Sequence, residues 1–506
     1  MRLLARLPLT VLLAAIGALA MLVPAAYSLA LGDGRMAGTF AISAGVLLAL
    51  AAVTGLAAPA AVGTRAMLLN LLAAVTLVPV ILAVPLWIAL PETGLFNAWW
   101  EMVSCLTTTG ASLHEPQSLD APLHLWRALV GWLGGLFMLV AATAIMAPLR
   151  IGGFEIVPDR GHRLGAPRAG GADPAMRILQ AGAAVAPVYA GLTLGLWVLL
   201  LMLGDPGLAA LGRAMGTLST SGILVAPVAS GIAGEVAVFA FLILALSRRF
   251  WPGGAELRSS ETLRHDPELR LAAGVVVLVA LILLARHFIE VIEAPDPGHA
   301  GQPVRALAAA WGGLFNALSY LTTTGWNSVE WPGARQWSGF DSPGLLLAGL
   351  AIMGGGVATA AGGVKLLRVH ALAAHALREM EKLPHPHSVG GGGRTARWMR
   401  GEGAFLAFVF FMLFALSLAV IVSLLSLQRI EFEDATILAI AALTNTGQLA
   451  GTLSLAPVIE GGAGTPWGGW AGLPAFARTI LAGAMILGRI ETLALLALFN
   501  PEIWRR

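Results

Sequence analysis

The stretch Thr107-Thr108-Thr109-Gly110 decides the fold, because the chain repeats this polar phrase three more times in the same setting. Each copy directly follows a short apolar segment and lies between two long hydrophobic stretches. Small hydroxyl residues that end in glycine let backbone carbonyls point inward and replace the hydration shell of an ion. Four such segments predict a pore for a monovalent cation. The other copies are Ser219-Thr220-Ser221-Gly222, Thr322-Thr323-Thr324-Gly325 and Thr444-Asn445-Thr446-Gly447.

The composition predicts a membrane protein. Of the 506 residues, 57% are hydrophobic and only 12% are charged, and the mean hydropathy is +0.80. A soluble domain carries about 25% charged residues, so a polytopic membrane protein in contact with lipid is expected. The 10 histidines are scattered rather than grouped with carboxylates, so we expect neither an enzyme nor a nucleic-acid partner.

Ten apolar runs approach or exceed the length of about 20 residues that a helix needs to cross a bilayer. They lie at residues 7–31, 37–60, 67–90, 123–149, 178–203, 235–250, 269–292, 343–367, 403–427 and 473–499. Four shorter segments, at 95–106, 208–218, 306–321 and 432–443, each end at one of the polar phrases. Each short segment is either an interfacial or re-entrant loop, or a pore helix that aims its carbonyl end at a cation.

The last eight runs and the four short segments group into four units of helix, pore helix, filter and helix. The predicted fold class is therefore all-α, with four pseudo-symmetric units around one pore and two extra N-terminal transmembrane helices. The expected divisions are residues 1–66 for those two helices and 67–150, 151–250, 251–380 and 381–506 for the pore units. The first run resembles a signal peptide, but its length and the second run directly after it favour an uncleaved helix.

Charge placement predicts the orientation in the membrane. Basic residues such as Arg248, Arg249 and Arg378 concentrate in the loops opposite the filters, whereas the filter-side loops hold acidic residues such as Glu92 and Asp205. Cytoplasmic loops of membrane proteins are rich in lysine and arginine. We therefore expect both termini in the cytoplasm and the filters open to the outside.

The four phrases together offer a site for K⁺. This ion gives up its water readily only when several oxygens replace the water at once, and the glycine of each phrase would permit backbone angles that side chains forbid. The predicted K⁺-binding filter consists of Thr108, Thr109, Gly110, Thr220, Ser221, Gly222, Thr323, Thr324, Gly325, Asn445, Thr446 and Gly447.

A glycine-rich segment interrupts the eighth apolar run and should break its helix. It contains Gly354, Gly355, Gly356, Gly362 and Gly363. Composition alone leaves two explanations equal, which are close helix packing through small residues and a flexible gate beneath the filter.

Two cationic residues accompany this segment. Lys365 follows it directly, and it could repel a permeating ion, tether the loop or extend to the cytoplasmic edge of the membrane. Arg489 lies in the apolar last run, where a buried arginine needs a partner. We expect that partner to be a loose carbonyl of the glycine-rich segment, unless Arg489 extends to the surface. Lys365, Arg489 and the five glycines are the predicted gating residues.

Several motifs resemble the Trk/Ktr/HKT potassium transporters. Residues 106–112 are similar to the first filter of that family, and residues 126–135 lead into its first inner helix. Residues 362–365 look like its third-unit loop and lysine, and residues 485–491 look like its last-helix signature. The resemblance extends from about Met67 onward, and the two extra N-terminal helices are similar to the TrkH branch.

This resemblance implies K⁺ uptake across the bacterial inner membrane by a homodimer, with selectivity at the glycines and the gate in the third-unit loop. It also implies a cytoplasmic ring of nucleotide-binding RCK subunits of the TrkA type. The chain has no phosphate-loop motif of its own, so no bound cofactor is expected and K⁺ is the transported ion. The alternative is a symporter coupled to H⁺ or Na⁺, or a less selective K⁺/Na⁺ transporter.

Three places depart from the family pattern. Ala360 and Ala361 stand where Ser or Thr usually precede the loop glycines, which would weaken the hold of the loop on the pore. Gln448-Leu449 replace Pro-Gly after the fourth filter, and Ile223 replaces a second glycine after the second filter. The Na⁺-permeable relatives have serine at the position of Gly110, so this glycine favours a preference for K⁺.

Overall fold

The computed structural model describes residues 7–57, 64–115, 118–149, 151–156, 174–225, 229–252, 263–293, 303–332, 344–385, 403–452 and 469–491. Over these residues the secondary structure is helical, with no β-strand. Seven of the described helical segments are long and apolar enough to cross a membrane. The predicted all-α polytopic fold is confirmed.

The N-terminal helices precede the first unit. They are α1 (Leu9–Ala20), α2 (Leu22–Ala30) and α3 (Gly34–Ala57); α1 and α2 together form one span. The first unit consists of α4 (Thr64–Ala89), α5 (Gly94–Leu106), α6 (Ala121–Ala141), a π-helical turn (Ala142–Met146) and α7 (Ala147–Leu149).

The other three units repeat the order of long helix, short helix and following helix. The second unit consists of α8 (Pro174–Met202), α9 (Gly207–Leu218) and α10 (Gly231–Leu242). The third consists of α11 (Pro267–Glu293), α12 (Pro303–Leu321), α13 (Gly344–Met353) and, beyond the glycine-rich segment, α14 (Leu366–Lys382). The fourth consists of α15 (Ala404–Ser426), α16 (Phe432–Leu443) and α17 (Ala475–Ile490).

The four units close into a ring. The helix that follows each filter packs against the short helix of the next unit, which gives the pairs α6 with α9, α10 with α12, and α13 with α16. The last pair, α17 with α5, joins the fourth unit back to the first. The four short helices α5, α9, α12 and α16 therefore surround one axis, and we call them the pore helices.

Two predicted spans are not continuous helices. The sixth apolar run forms α10 and a 3-10 turn that ends at Leu246. Ser247 after it is extended, and a second short 3-10 turn (Arg248–Phe250) follows. Within the first turn, the Ala245 carbonyl accepts a hydrogen bond from the Gly356 N–H group at 3.0 Å. The eighth run breaks after Met353, as its glycines predict, and its helix resumes at Leu366. The part of the tenth run beyond Glu491 lies outside the described residues.

Large apolar side chains cover the outside of the ring. Examples are Ile42, Val53 and Leu416, with 70%, 64% and 62% of their surface exposed. In water such a surface would aggregate, whereas lipid tails are an apolar solvent for it. The exposed apolar surface agrees with a multi-pass membrane protein.

Candidate functional site

The polar phrases are the C-terminal caps of the four pore helices. In every copy the third residue donates its backbone N–H to a carbonyl five positions earlier, in the last turn of the helix. The bonds are Thr109 to Ser104 at 2.9 Å, Ser221 to Gly216 at 2.9 Å, Thr324 to Ser319 at 2.9 Å and Thr446 to Ala441 at 2.8 Å. This pattern is the Schellman motif, in which the preceding residue adopts the left-handed conformation. We refer to these four caps as the filter turns.

The left-handed residue of each filter turn is a threonine or an asparagine rather than glycine. Thr108, Thr220, Thr323 and Asn445 have φ angles of 55°, 55°, 58° and 54°. This conformation is a genuine outlier for a β-branched side chain and persists only when the surroundings impose it. The same strain in three threonines points to a functional requirement for this backbone shape.

Pairs of hydroxyl groups hold the filter turns in place. The first and third residues of each phrase hydrogen-bond through their hydroxyls: Thr107 and Thr109 at 2.8 Å, Ser219 and Ser221 at 2.9 Å, Thr322 and Thr324 at 3.1 Å, and Thr444 and Thr446 at 3.1 Å. The first hydroxyl also donates to the carbonyl four residues earlier, for example Thr107 to Val103 at 2.7 Å. These hydroxyls are therefore satisfied by their own turn.

The glycines bring neighbouring filter turns into close approach. A Cβ atom on Gly110 would overlap the Ser221 carbonyl oxygen, and one on Gly222 would overlap the Thr324 carbonyl oxygen. A Cβ on Gly447 would lie 2.7 Å from the Thr109 carbonyl oxygen. The filter turns therefore meet in chain order around the axis, and Gly110, Gly222 and Gly325 also have positive φ angles of 74°, 57° and 76°.

The second and third residues of the four phrases offer eight backbone carbonyls as ligands for K⁺, and most of these have no donor among the described residues. Those of Thr108, Thr220, Ser221, Thr323, Thr324 and Asn445 accept no hydrogen bond from the described residues, although all six residues are buried. Buried carbonyls in proteins are nearly always paired. Six such oxygens in one ring form a site for a positively charged ligand, such as a metal cation, that binds only to electron-pair donors.

The fourth filter turn departs from the other three. Unlike the other three filter glycines, Gly447 has no positive φ angle, because it begins a 3-10 helix (Gly447–Thr452). Its N–H group donates to the Thr109 carbonyl at 2.6 Å, and the Thr446 carbonyl accepts from Leu449 at 3.0 Å. Two of the eight predicted ligand carbonyls, those of Thr109 and Thr446, are therefore already occupied by protein donors.

The glycine-rich segment lies at the base of the filter turns. The N–H group of Gly362 donates to Thr323 Oγ1 at 2.7 Å, and a Cβ on Gly362 would overlap the Thr444 carbonyl oxygen. The equivalent atoms in two other turns, Thr108 Oγ1 and Thr220 Oγ1, are buried and have no partner among the described residues. The segment thus contacts the third and fourth filter turns directly.

Arg489 and Lys365 hold the same segment from the other side. Arg489 Nη1 donates to the Ala360 carbonyl at 2.7 Å, which confirms the predicted partner of this arginine. Lys365 Nζ donates to the Ala361 carbonyl. A cavity of about 20 Å³ lies beside both residues, which is room for about one water molecule.

Buried carboxylates fix the segment and the helix that follows it. Glu268 Oε1 accepts from the Val357 N–H group at 2.7 Å. Directly after the segment, Arg368 pairs with Glu155 at 2.6 Å and with Glu491 at 2.7 Å. All three of these ion-pairing side chains are buried, so the segment has fixed anchors on both sides.

A polar side chain nine residues before the filter glycine anchors the loop after the first three filters. Glu101 accepts from the Leu113 N–H group at 2.9 Å and also pairs with Arg127 at 2.7 Å. Asn316 accepts from the Ser328 N–H group at 2.8 Å. The matching residue of the fourth pore helix is Leu438, which cannot accept a hydrogen bond.

The second unit anchors its loop through an ion pair. Arg213, at the matching position, donates to Asp205 at 3.2 Å and to Ser230 at 2.9 Å. Burial raises the pKa of the Asp205 carboxyl, but bonds from the N–H groups of Ser230 and Ala229 and the charge of Arg213 outweigh this effect and lower the pKa below its usual range. Asp205 therefore remains ionised and keeps its loop in place.

Comparison with known proteins places this arrangement in a wider context. No family model matches the chain. The Trk system potassium uptake protein TrkI of Halomonas elongata is 28% identical over an alignment of 447 residues that covers 84% of this chain and 81% of that protein. The Trk system potassium uptake protein TrkH of Salmonella typhimurium is 26% identical over an alignment of 432 residues that covers 82% of this chain and 80% of that protein. The chain is similar to these Trk system potassium uptake proteins over most of its length.

The solved structure of the potassium transporter TrkH from Vibrio parahaemolyticus has the same fold. Its TM-score is 0.77 at 22% identity, and the match covers 100% of both chains. The four-unit architecture is thus shared with TrkH despite the low identity. The named relatives are transporters, in line with the expectation that the chain is not an enzyme.

The structure brings the predicted filter residues into one ring and the predicted gating residues beneath it. Sequence reasoning missed the first residue of each phrase, Thr107, Ser219, Thr322 and Thr444, whose hydroxyls hold the filter turns. The available signal was a hydroxyl at both the first and third positions of every copy. It also missed the anchoring role shared by the residues nine positions before the first three filter glycines, because these residues differ in type from unit to unit.

Proposed function

We propose that this chain takes up K⁺ across the bacterial inner membrane through a selective pore. The observation that carries the proposal is the ring of filter turns, with six buried carbonyls that accept no hydrogen bond from the part of the chain that the structure describes. Rings of backbone carbonyls replace the hydration shell of K⁺ in selective pores. The homologous proteins are named for potassium uptake, which supports the same ion as the substrate of this chain.

The glycine-rich segment is proposed as the gate. Its Gly362 N–H group occupies one of the hydroxyls at the base of the filter turns, and Lys365 and Arg489 bring two positive charges to the same place. A permeating cation would meet both the backbone of the segment and this charge. Conduction would therefore require the segment to move aside, and its glycines would allow that movement.

Uptake would be driven by the membrane potential, which is worth about 2.3 kcal/mol per elementary charge for each 100 mV. The excess of basic residues on the side opposite the filters supports filters that open outward. The expected cytoplasmic position of the termini concerns residues 1–6 and 492–506, which lie outside the described residues. The division into residues 1–66, 67–150, 151–250, 251–380 and 381–506 remains part of this proposal.

Assembly as a homodimer, with control by nucleotide-binding subunits of the TrkA type, is the proposed setting of the pore. The helix after the gate, α14, offers a cytoplasmic surface for such control. Its Leu377 and Met380 are 60% and 61% exposed, while Arg368 at its start is buried in the ion pairs with Glu155 and Glu491. A partner that pulls on α14 would act directly on the end of the gate.

The test is uptake of radioactive rubidium, a K⁺ analogue, into liposomes that contain the purified full-length chain. We expect external K⁺ to block uptake and Na⁺ to leave it nearly unchanged, with protein-free liposomes as the control. Because a closed gate could also abolish uptake, the Gly362→Ala variant is measured in parallel. Absence of uptake from both proteins would contradict the proposed pore.

A less selective K⁺/Na⁺ transporter is the second candidate. The observation that favours it is the fourth filter turn, in which the Thr109 and Thr446 carbonyls already accept protein N–H groups. A ring with fewer free carbonyls would discriminate less between the two ions. Equal block of rubidium uptake by K⁺ and Na⁺ would favour this candidate over the selective pore.

A further inference from the structure

We propose that Gln448 sets the affinity of the pore for external cations, because its side-chain amide occupies carbonyls of the filter ring that a cation would otherwise bind. The inference deepens the proposed function and rests on it. It concerns the residue directly after the fourth filter turn, where the chain also departs most from the fourfold pattern.

The Gln448 side chain extends from the fourth filter turn into the other three. Its Nε2 atom donates to the Gly110 carbonyl at 3.2 Å and to the Gly222 carbonyl at 2.7 Å. Its Cβ and Cγ atoms lie against Gly325, at 2.6 Å and 3.0 Å from the position of a Cβ atom on that glycine. Both hydrogen-bond partners are carbonyl oxygens, so the NH₂ end of the amide must face them.

The backbone of the fourth turn explains why Gln448 reaches this place. Leu438 cannot anchor the following loop as Glu101, Arg213 and Asn316 do in the other units. Instead, the N–H group of Gly447 turns toward the Thr109 carbonyl at 2.6 Å, and a 3-10 helix begins at once. This turn directs the next side chain, that of Gln448, across the ring.

An amide at this position competes with a cation for the same oxygens. The N–H groups of the amide present the positive end of a dipole to these carbonyl oxygens, whereas a cation would present a full positive charge to them. Entry of a cation therefore requires the Gln448 side chain to leave, and its partly exposed position allows the freed amide to bond with water. When only a fraction of molecules is competent to bind, the apparent affinity falls by that fraction.

The test compares the native full-length chain with the Gln448→Ala variant in liposomes. We expect the external rubidium concentration that gives half-maximal uptake to fall about tenfold in the variant. This is the change expected if the Gln448 amide leaves the filter free to bind a cation in about one native molecule in ten, whereas the variant is always free. Direct K⁺ binding to the purified protein, measured by calorimetry, should tighten by the same factor. Binding from the outside does not require the gate to open, so it reports on the filter even when flux is small.

Gln428→Ala is the matched control. Gln428 lies in the turn before the fourth pore helix, on the same side of the membrane, and makes no side-chain hydrogen bond to a filter turn in the described structure. Its replacement should leave both measurements unchanged. Gln448→Asn keeps the amide but shortens the side chain by one methylene, so it should lose the contact with Gly222 and tighten K⁺ binding as the alanine variant does.

The outcomes separate this inference from the proposed function. If the native chain transports and binds K⁺ and Gln448→Ala does so with unchanged or weaker affinity, the role of Gln448 is wrong and the pore remains. If neither the native chain nor any variant binds or transports K⁺, the proposed function is wrong and this inference falls with it. Tighter binding in both Gln448 variants, with Gln428→Ala unchanged, supports the proposal.

Discussion

At the scale of single residues, the filter depends on side chains held in conformations that they ordinarily avoid. Thr108, Thr220 and Thr323 take a left-handed conformation that costs a non-glycine residue roughly 1–3 kcal/mol. Hydroxyl pairs and helix-capping bonds hold each turn in this shape. The result is a set of six carbonyls that accept no hydrogen bond from the described residues, which is the property a cation site requires.

Gly110 is the residue at which selectivity is tested most directly. In Gly110→Ser the new Cβ would overlap the Ser221 carbonyl oxygen at a φ of 74°, so the ring must shift. We expect the preference for K⁺ over Na⁺ to fall about tenfold, which corresponds to ~1.4 kcal/mol of differential binding. Competition of the two ions against rubidium uptake measures this preference.

Gly195→Ser is the control for that substitution. Gly195 lies in α8, and a Cβ atom there would meet no atom within 4 Å, so selectivity should not change. An unaltered preference in Gly110→Ser itself would contradict the assignment of the first filter turn.

At the scale of elements, the broken third-unit helix and the short α10 belong together. The glycine-rich segment begins where the helix ends, after Met353. Its Gly356 N–H group donates a hydrogen bond to the Ala245 carbonyl, in the 3-10 turn that follows α10. The segment then reaches the filter base at Gly362. One irregular element therefore connects the second, third and fourth units at the place where ions would leave the filter.

Gly362→Ala tests the segment as a gate. The added methyl group would overlap the Thr444 carbonyl oxygen, and the bond from Gly362 to Thr323 should break as the segment moves. We expect the basal rate of rubidium uptake to rise several-fold, since a lost hydrogen bond of ~1 kcal/mol shifts such an equilibrium by about fivefold. Gly349→Ala in α13 is the control, because a Cβ there meets nothing within 4 Å. A basal rate equal to that of the native chain would favour simple helix packing.

At the scale of the whole molecule, stability depends on closure of the ring between the fourth and first units. The Trp100 indole N–H in the first pore helix donates to the Arg478 carbonyl in α17 at 2.9 Å, and Arg478 also bonds to Asn97 at 2.6 Å. Trp100 stacks near Trp470 with a ring separation of 5.8 Å. Residues almost 400 positions apart thus meet at this interface.

Trp100→Phe removes the indole donor at the closure while keeping an aromatic ring there. We expect a loss of about 1 kcal/mol and a lower midpoint of thermal unfolding in detergent. Trp99→Phe is the matched control, because the Trp99 indole makes no hydrogen bond in the described structure and should leave the midpoint nearly unchanged. Equal midpoints for the native chain and Trp100→Phe would show that this bond does not support closure.

The sequence by itself determined the membrane environment, the four pore units and the position of the helix break. These follow from properties of short stretches: the length of apolar runs, the hydroxyl-rich caps of four short helices, and glycines too frequent for a helix. The hydrogen bond between the Thr107 and Thr109 hydroxyls could also have been predicted locally, because Ser or Thr stands at the first and third positions of every phrase. It went unnoticed because the first residue of each phrase had no predicted function.

Only the tertiary structure decided which oxygens of the filter remain free and which groups occupy the others. The bond from Gly447 to the Thr109 carbonyl and the bonds from Gln448 to the Gly110 and Gly222 carbonyls join residues that are more than 200 positions apart. The early end of α10 likewise follows from its contact with the glycine-rich segment. Such contacts depend on how four similar units pack around one axis. The local sequence of one unit does not predict which residues of another unit will lie against it.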